Sequence, residues 1–130
     1  VEVKQDFSAS CSNVFLGSSV SAAVNVVGRL DIGSGVRYDS VAVKTTTATL
    51  DNQDSYVICQ GGGSAFTVTL PASPTNGEFF AIKRASTMSA DLTIGGGGNN
   101  IDGSSSIVLD SAGAAISVIY DSTSDQWNVF

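Results

Sequence analysis

Short runs of β-branched and aromatic residues, separated by glycine and small polar residues, constrain this chain's fold more than any other feature. A representative stretch is FTVTLPASPTNGEFFAIKRA at residues 66–85, where apolar residues alternate with polar ones. Alternation with a period of two is typical of β-strands. It predicts that Phe66, Val68 and Leu70 share one face of their strand. It also predicts that Phe79, Ala81 and Lys83 lie on one face of theirs, with Phe80 and Ile82 on the other. No segment repeats its apolar residues at the spacing of an amphipathic helix over several turns. The sequence therefore predicts an all-β protein.

The turn signals indicate how the strands are arranged. Strands are predicted at residues 45–50, 56–59, 66–70, 79–83, 92–94, 107–109, 115–120 and 127–130. Pro71 ends one strand because proline cannot donate to a ladder. Asn76-Gly77 is a tight-turn signal, which predicts that residues 79–83 run back along residues 66–70. Turns at intervals of about 8 to 12 residues favour a β-sandwich or a barrel-like domain.

The chain is predicted to have two regions, residues 1–44 and residues 45–130. In the first region, short apolar runs such as Val14-Phe15-Leu16 are separated by glycine. Strands this short bury little surface, and an isolated hairpin is marginally stable in water. We therefore expect residues 1–44 to be an intertwined, shaft-like region between subunits. The alternative is an N-terminal hairpin that lies on the C-terminal knob formed by residues 45–130.

Composition excludes several functions. The formal net charge is −6 and the six basic residues are scattered, which argues against nucleic acid as a partner. The absence of histidine removes the commonest general base and metal ligand. No apolar run approaches the about 20 residues of a membrane helix. We therefore expect a non-enzymatic protein without a cofactor, a metal or membrane insertion.

The two cysteines bear on whether the chain contains a disulfide bond, and its first residue bears on whether the chain is a fragment. A bond between Cys11 and Cys59 would close a long loop and contribute roughly 4 kcal/mol. Free thiols are favoured instead, because free cysteine packs as a small hydrophobe. The chain begins at Val1 without a methionine or a signal-like stretch, which predicts a fragment or a processed product of a longer protein.

Candidate binding residues are few. Tyr120 and Trp127 face the same predicted hairpin, so they are candidate contacts for a sugar ring, although a lone tryptophan in a final strand more often anchors the core. Gly95-Gly96-Gly97-Gly98 lacks the Lys-Ser/Thr ending of a phosphate-binding loop and is interpreted as a surface turn. The aspartates at the strand ends have no EF-hand spacing and suit turns, with an ion site as the alternative.

An ordered set of motifs resembles the C-terminal modules of bacteriophage tail fibres and related trimeric virion fibres. The set comprises VTLP at 68–71, NG at 76–77, IK at 82–83, TI at 93–94, IDG at 101–103, VIYD at 118–121 and WNVF at 127–130. It covers residues 45–130, and residues 24–35 are similar to stretches found in fibre shafts. Ser124-Asp125-Gln126 departs from the Gly-Thr-Asn that often precedes the tryptophan.

The resemblance implies a homotrimer on a virion, in contact with other virion proteins and with a glycan or protein of the host surface. The expected function is therefore that of a structural and adhesive tail-fibre or spike module. A capsid decoration protein, which would clamp neighbouring shell subunits, is the alternative. A polysaccharide-cleaving enzyme is disfavoured, because the chain has no histidine and no paired-glutamate motif.

Overall fold

The computed structural model describes residues 27–38 and 41–130. The chain divides into two units, Val1–Arg37 and Tyr38–Phe130, which are considered separately. The described part of the first unit contains no strand, and its apolar side chains, such as Leu30 and Ile32, are exposed. Arg29 and Asp31 form a surface ion pair of 2.7 Å there. The predicted shaft strand at residues 14–16 lies outside the described residues.

The second unit is built from strands alone. They are β1 Ala42–Lys44, β2 Ala48–Thr49, β3 Tyr56–Cys59, β4 Phe66–Thr69, β5 Phe79–Arg84, β6 Leu92–Gly95, β7 Asn100–Ile101, β8 Ser106–Leu109, β9 Ala115–Asp121 and β10 Gln126–Val129. The predicted all-β class is confirmed for the described residues, which contain no helix. Accordingly, nothing in the described part of the chain is a helix long and apolar enough to cross a membrane.

The first six strands form a coil that alternates between two sheets. The strands β1, β3 and β5 lie side by side and parallel in one sheet, and β2, β4 and β6 do the same in the other. Ala42 pairs with Val57, whereas Tyr56 pairs with Ala81, so successive turns of the coil differ in length. The predicted hairpin between residues 66–70 and 79–83 is wrong, because these segments belong to different sheets.

The last strands close the coil with antiparallel pairs. β8 pairs antiparallel with β6, and β9 pairs antiparallel with β5. β9 and β10 form the hairpin predicted across residues 122–125, in which Asp125 has a positive φ of 53°. The strand order is β1-β3-β5-β9-β10-β7 in the six-stranded sheet and β2-β4-β6-β8 in the four-stranded sheet. The predicted boundary between residues 44 and 45 follows β1, which pairs with β3 in this unit.

One hydrophobic core lies between the two sheets, as in a β-sandwich. The six-stranded sheet contributes Val57, Cys59, Phe80, Ile82, Val118, Tyr120 and Trp127, and the four-stranded sheet contributes Phe66, Val68, Leu92, Ile94 and Leu109. Phe80 and Ile82 are each 1 % exposed, whereas Phe79 on the other face is 38 % exposed. The alternation predicted for residues 79–83 is therefore confirmed.

Candidate functional site: an apolar outer groove

The outer face of the six-stranded sheet is apolar, because the strand registers align its outward-facing residues. Tyr56 pairs with Ala81 and Ala81 with Ser117, and the Phe130 backbone N–H donates to the Ser117 carbonyl oxygen at 2.9 Å. Paired residues project to the same face of a sheet. Four large apolar side chains stay exposed there: Val41 (50 %), Val43 (49 %), Phe79 (38 %) and Phe130 (83 %). A contiguous apolar surface of this kind marks an interaction site.

Small side chains on the central strands leave a groove in this face. Ala81 of β5 and Ser117 of β9 form its floor. Tyr56 and Ile58 of β3 lie on one side, and Phe130 lies on the other. The space between them has a volume of about 390 Å³. We call this space the outer groove and define it by the side chains of Tyr56, Ile58, Ala81, Lys83, Ser117 and Phe130.

Aromatic rings extend the apolar surface beyond one side of the groove. The ring centroids of Tyr38 and Tyr56 are 4.3 Å apart, and those of Tyr56 and Phe79 are 6.2 Å apart. The hydrogen bond with Tyr38 raises the pKa of the Tyr56 hydroxyl above its usual 10.0, and burial acts in the same direction. Tyr56 therefore stays neutral at physiological pH, which suits an apolar contact.

The outer groove carries a single cation among its lining residues. Lys83 Nζ donates to the Gly113 carbonyl oxygen at 2.9 Å, which holds the ammonium at one end of the groove. The lining contains no aspartate, glutamate, asparagine or glutamine. Recognition in this groove must therefore rest on apolar contact, because a site for a polar ligand needs several placed hydrogen-bonding groups.

The outer face of the four-stranded sheet has a different character. Thr49 pairs with Thr69, and Thr67 pairs with Thr93, so hydroxyl-bearing side chains cover this face. Val108, which is 52 % exposed, is the large apolar side chain on this face. The two outer faces thus differ in chemistry, and the apolar one is the candidate interface.

The structure places both predicted sugar contacts in the core. Trp127 is 0 % exposed and Tyr120 is 7 % exposed, and their ring centroids are 5.3 Å apart. Phe80 packs on Trp127 at 5.7 Å. The Tyr120 hydroxyl donates to Asp125 Oδ1, and this bond raises the pKa of Tyr120. Trp127 thus anchors the core, as is more often the case for a lone tryptophan in a final strand, and does not present its ring to a sugar.

The carboxylates at the strand ends act in turns and at strand edges. Asp121 accepts hydrogen bonds from Ser124 Oγ at 2.7 Å and from the Thr123 N–H at 2.9 Å, and these bonds lower its pKa. Asp54 pairs with Lys44 Nζ at 3.0 Å. Within residues 27–38 and 41–130, no three histidine, cysteine, aspartate or glutamate side chains gather as a metal site.

Comparisons with known proteins do not assign the chain to a family. Searches with the sequence found no matching protein-family model and no curated protein of significant similarity. The site therefore rests on the geometry of the fold. The sequence analysis placed Ala81 and Lys83 on one face but missed the groove, because its members come together only through the order of β3, β5, β9 and β10. The exposure of Phe130 beside small outward-facing residues is a property of the fold, so no local sequence signal could have identified the groove.

Proposed function

We propose that this chain is a structural and adhesive module of a virion fibre or spike that works as a homotrimer. The observation that carries this proposal is the apolar outer face of the six-stranded sheet, which a single copy leaves uncovered. Apolar surface buried between subunits stabilises an assembly by about 25 cal/mol per Å². The ordered motifs that resemble trimeric virion fibres favour three copies over two.

The way in which the coil ends also supports a position at the end of a fibre. Parallel strands β1 to β6 build the coil, and the antiparallel strands β8 and β9 cover its last turn. At the other end, within the described residues, β1 pairs with β3 alone and β2 pairs with β4 alone. A repeating β-structure needs a cap where it stops. A capped coil suits the tip of an elongated particle component, where three copies strengthen weak contacts with a surface by avidity.

The native mass in solution tests self-association. We expect sedimentation equilibrium to give the mass of a trimer for the unmodified chain. Ala81→Lys places an ammonium in the groove floor, where burial without a partner is costly, so this variant should be monomeric. Thr67→Lys is the matched control, because Thr67 lies on the outer face of the central strand β4 in the other sheet and should leave the trimer intact.

Immunogold labelling of particles from the source that encodes the chain tests the place of action. A fibre or spike module predicts label at a few distal positions per particle. Label spread over the shell would instead identify a capsid decoration protein, and particles without label would refute a role in the virion. A monomeric unmodified chain would remove the basis of the trimer.

A further inference from the structure

We propose that the outer groove receives the Phe130 side chain of a second copy of this chain. This inference rests on the proposed self-association and names the residue that fills the groove. Phe130 is 83 % exposed, and its backbone is fixed by the 2.9 Å hydrogen bond to the Ser117 carbonyl oxygen. The protein thus presents an aromatic ring to solvent from a fixed backbone position. Buried aromatic anchors of this kind dominate the energy of protein interfaces.

The size and chemistry of the groove fit an aromatic ring. An apolar protein cavity of about 150 Å³ is large enough to bind benzene. The outer groove offers about 390 Å³ over a floor of Ala81 and Ser117, with Tyr56 and Ile58 beside it. A phenyl ring and part of its backbone therefore fit. Tyr56 supplies an aromatic neighbour for the ring, since aromatic pairs favour tilted and edge-to-face contacts.

The ring that fills the groove comes from a neighbouring copy. The chain's own Phe130 lies at the side of the groove and keeps most of its surface exposed, so it does not fill the space above Ala81. Phe130 lines one side of the groove, and Ala81 and Ser117 form the floor that receives the ring of a neighbour. The contact is head-to-tail when each copy inserts its ring into the next copy and receives a ring from the previous one, and it then closes into a ring when the rotation between copies permits. Such a contact is compatible with three-fold symmetry.

The cationic lining of the groove suits a second copy of this acidic chain. Each chain has a formal net charge of −6, which opposes association in general. The lining of the groove contains Lys83 and no acidic residue, so the ring of a second copy enters the groove without meeting an acidic side chain of the lining. Sugars are bound through several planar polar side chains, and asparagine, glutamine and the acids are missing from this lining.

Truncation of the ring tests the proposal. Phe130→Ala should weaken self-association at least about 30-fold per contact, the effect of losing one interface hot spot. Val108→Ala is the matched control, because it removes an exposed side chain from the outer face of the other sheet and should leave the association constant unchanged. Both variants are compared with the unmodified chain by sedimentation equilibrium, and circular dichroism confirms that each one folds.

Photo-crosslinking identifies the occupant directly. Phe130 is replaced by p-benzoylphenylalanine, and isotope-labelled and unlabelled copies are mixed before irradiation. We expect crosslinks between copies from position 130 to β3, β5 or β9 around Ala81 and Ser117. Crosslinks between copies at other positions, or an association constant that Phe130→Ala does not change, would overturn the inference while the trimer stands. A monomeric unmodified chain would instead remove both proposals.

Discussion

Gly97 holds the turn after β6 against the end of β4, and replacing it with alanine tests how tightly the coil is packed. Gly97 has a φ of +68°, and a Cβ at this position would clash with the Leu70 carbonyl oxygen. The Leu70 N–H donates to the Gly95 carbonyl oxygen at 2.8 Å, so the same strand end also anchors the start of the turn. An added methyl group must therefore displace backbone that is already hydrogen-bonded.

The expected loss of stability for Gly97→Ala is about 2–3 kcal/mol. The left-handed conformation costs an alanine about 1–2 kcal/mol. The displaced backbone weakens the hydrogen bond between Leu70 and Gly95, which contributes about 0.5–1.5 kcal/mol. For a domain of this size, each kcal/mol shifts the melting temperature by about 4–8 °C. Thermal unfolding should therefore begin roughly 10–20 °C lower.

Two further glycines separate the cost of backbone strain from the cost of the close contact with Leu70. Gly98 has a φ of +105° but open space around its Cβ position, so Gly98→Ala adds backbone strain without a close contact. Gly62 has neither a positive φ nor a neighbour within 4 Å, so Gly62→Ala should unfold like the unmodified chain. Calorimetry should rank the variants with Gly97→Ala as the least stable. Equal melting temperatures for Gly97→Ala and Gly98→Ala would refute the close approach to Leu70.

Two other predictions concern the core. Burial raises the pKa of the Cys59 thiol from 9.0 to about 11, with Lys44 opposing part of the shift, so the unfolded chain loses this proton first as the pH rises. The contribution of this thiol to stability should therefore be fully present below pH 9.0 and fall by roughly 2–3 kcal/mol as the pH rises through 11, as measured by urea unfolding. Cys59→Ala should lack this part of the pH dependence, and identical profiles would contradict it. Trp127 is the single tryptophan and is 0 % exposed, so its fluorescence emission should be blue-shifted and should resist quenching by acrylamide. The emission should also stay unchanged when oligosaccharide is added. Red-shifted, readily quenched emission would place it at the surface.

Local alternation predicted the strands apart from β1 and β7, but it did not predict their partners. The apolar residues of 66–70 and of 79–83 were assigned to the correct faces, and the hairpin of β9 and β10 was found from its turn. The signal at Asn76-Gly77 was misleading, because this turn carries the chain from one sheet to the other. Asn76 Oδ1 accepts from the Ser122 N–H at 3.0 Å, which ties the turn to the β9–β10 hairpin. A contact between such distant residues is invisible to local patterns.

The parallel coil was missed for a related reason. Parallel neighbours in each sheet are separated by an intervening strand of the other sheet, so their pairing leaves no short-range signature. The turns of the coil differ in length, and a repeat of fixed period is therefore absent. The outer groove depends on this pairing, since Tyr56 and Phe130 lie on opposite sides of a floor formed by β5 and β9. The candidate site was consequently beyond reach from the sequence.

The arrangement of polar and apolar surfaces favours a closed assembly over open aggregation. The edge strands are short, since β2 and β7 have two residues each, β1 has three and β8 has four, and short edges offer little template for pairing with further chains. Threonine covers the outer face of the four-stranded sheet, so that face gains little from leaving water. Of the two outer sheet faces, the apolar one gives the substantial gain from contact. When the rotation between copies closes the proposed head-to-tail contact into a ring, association stops as the last copy meets the first.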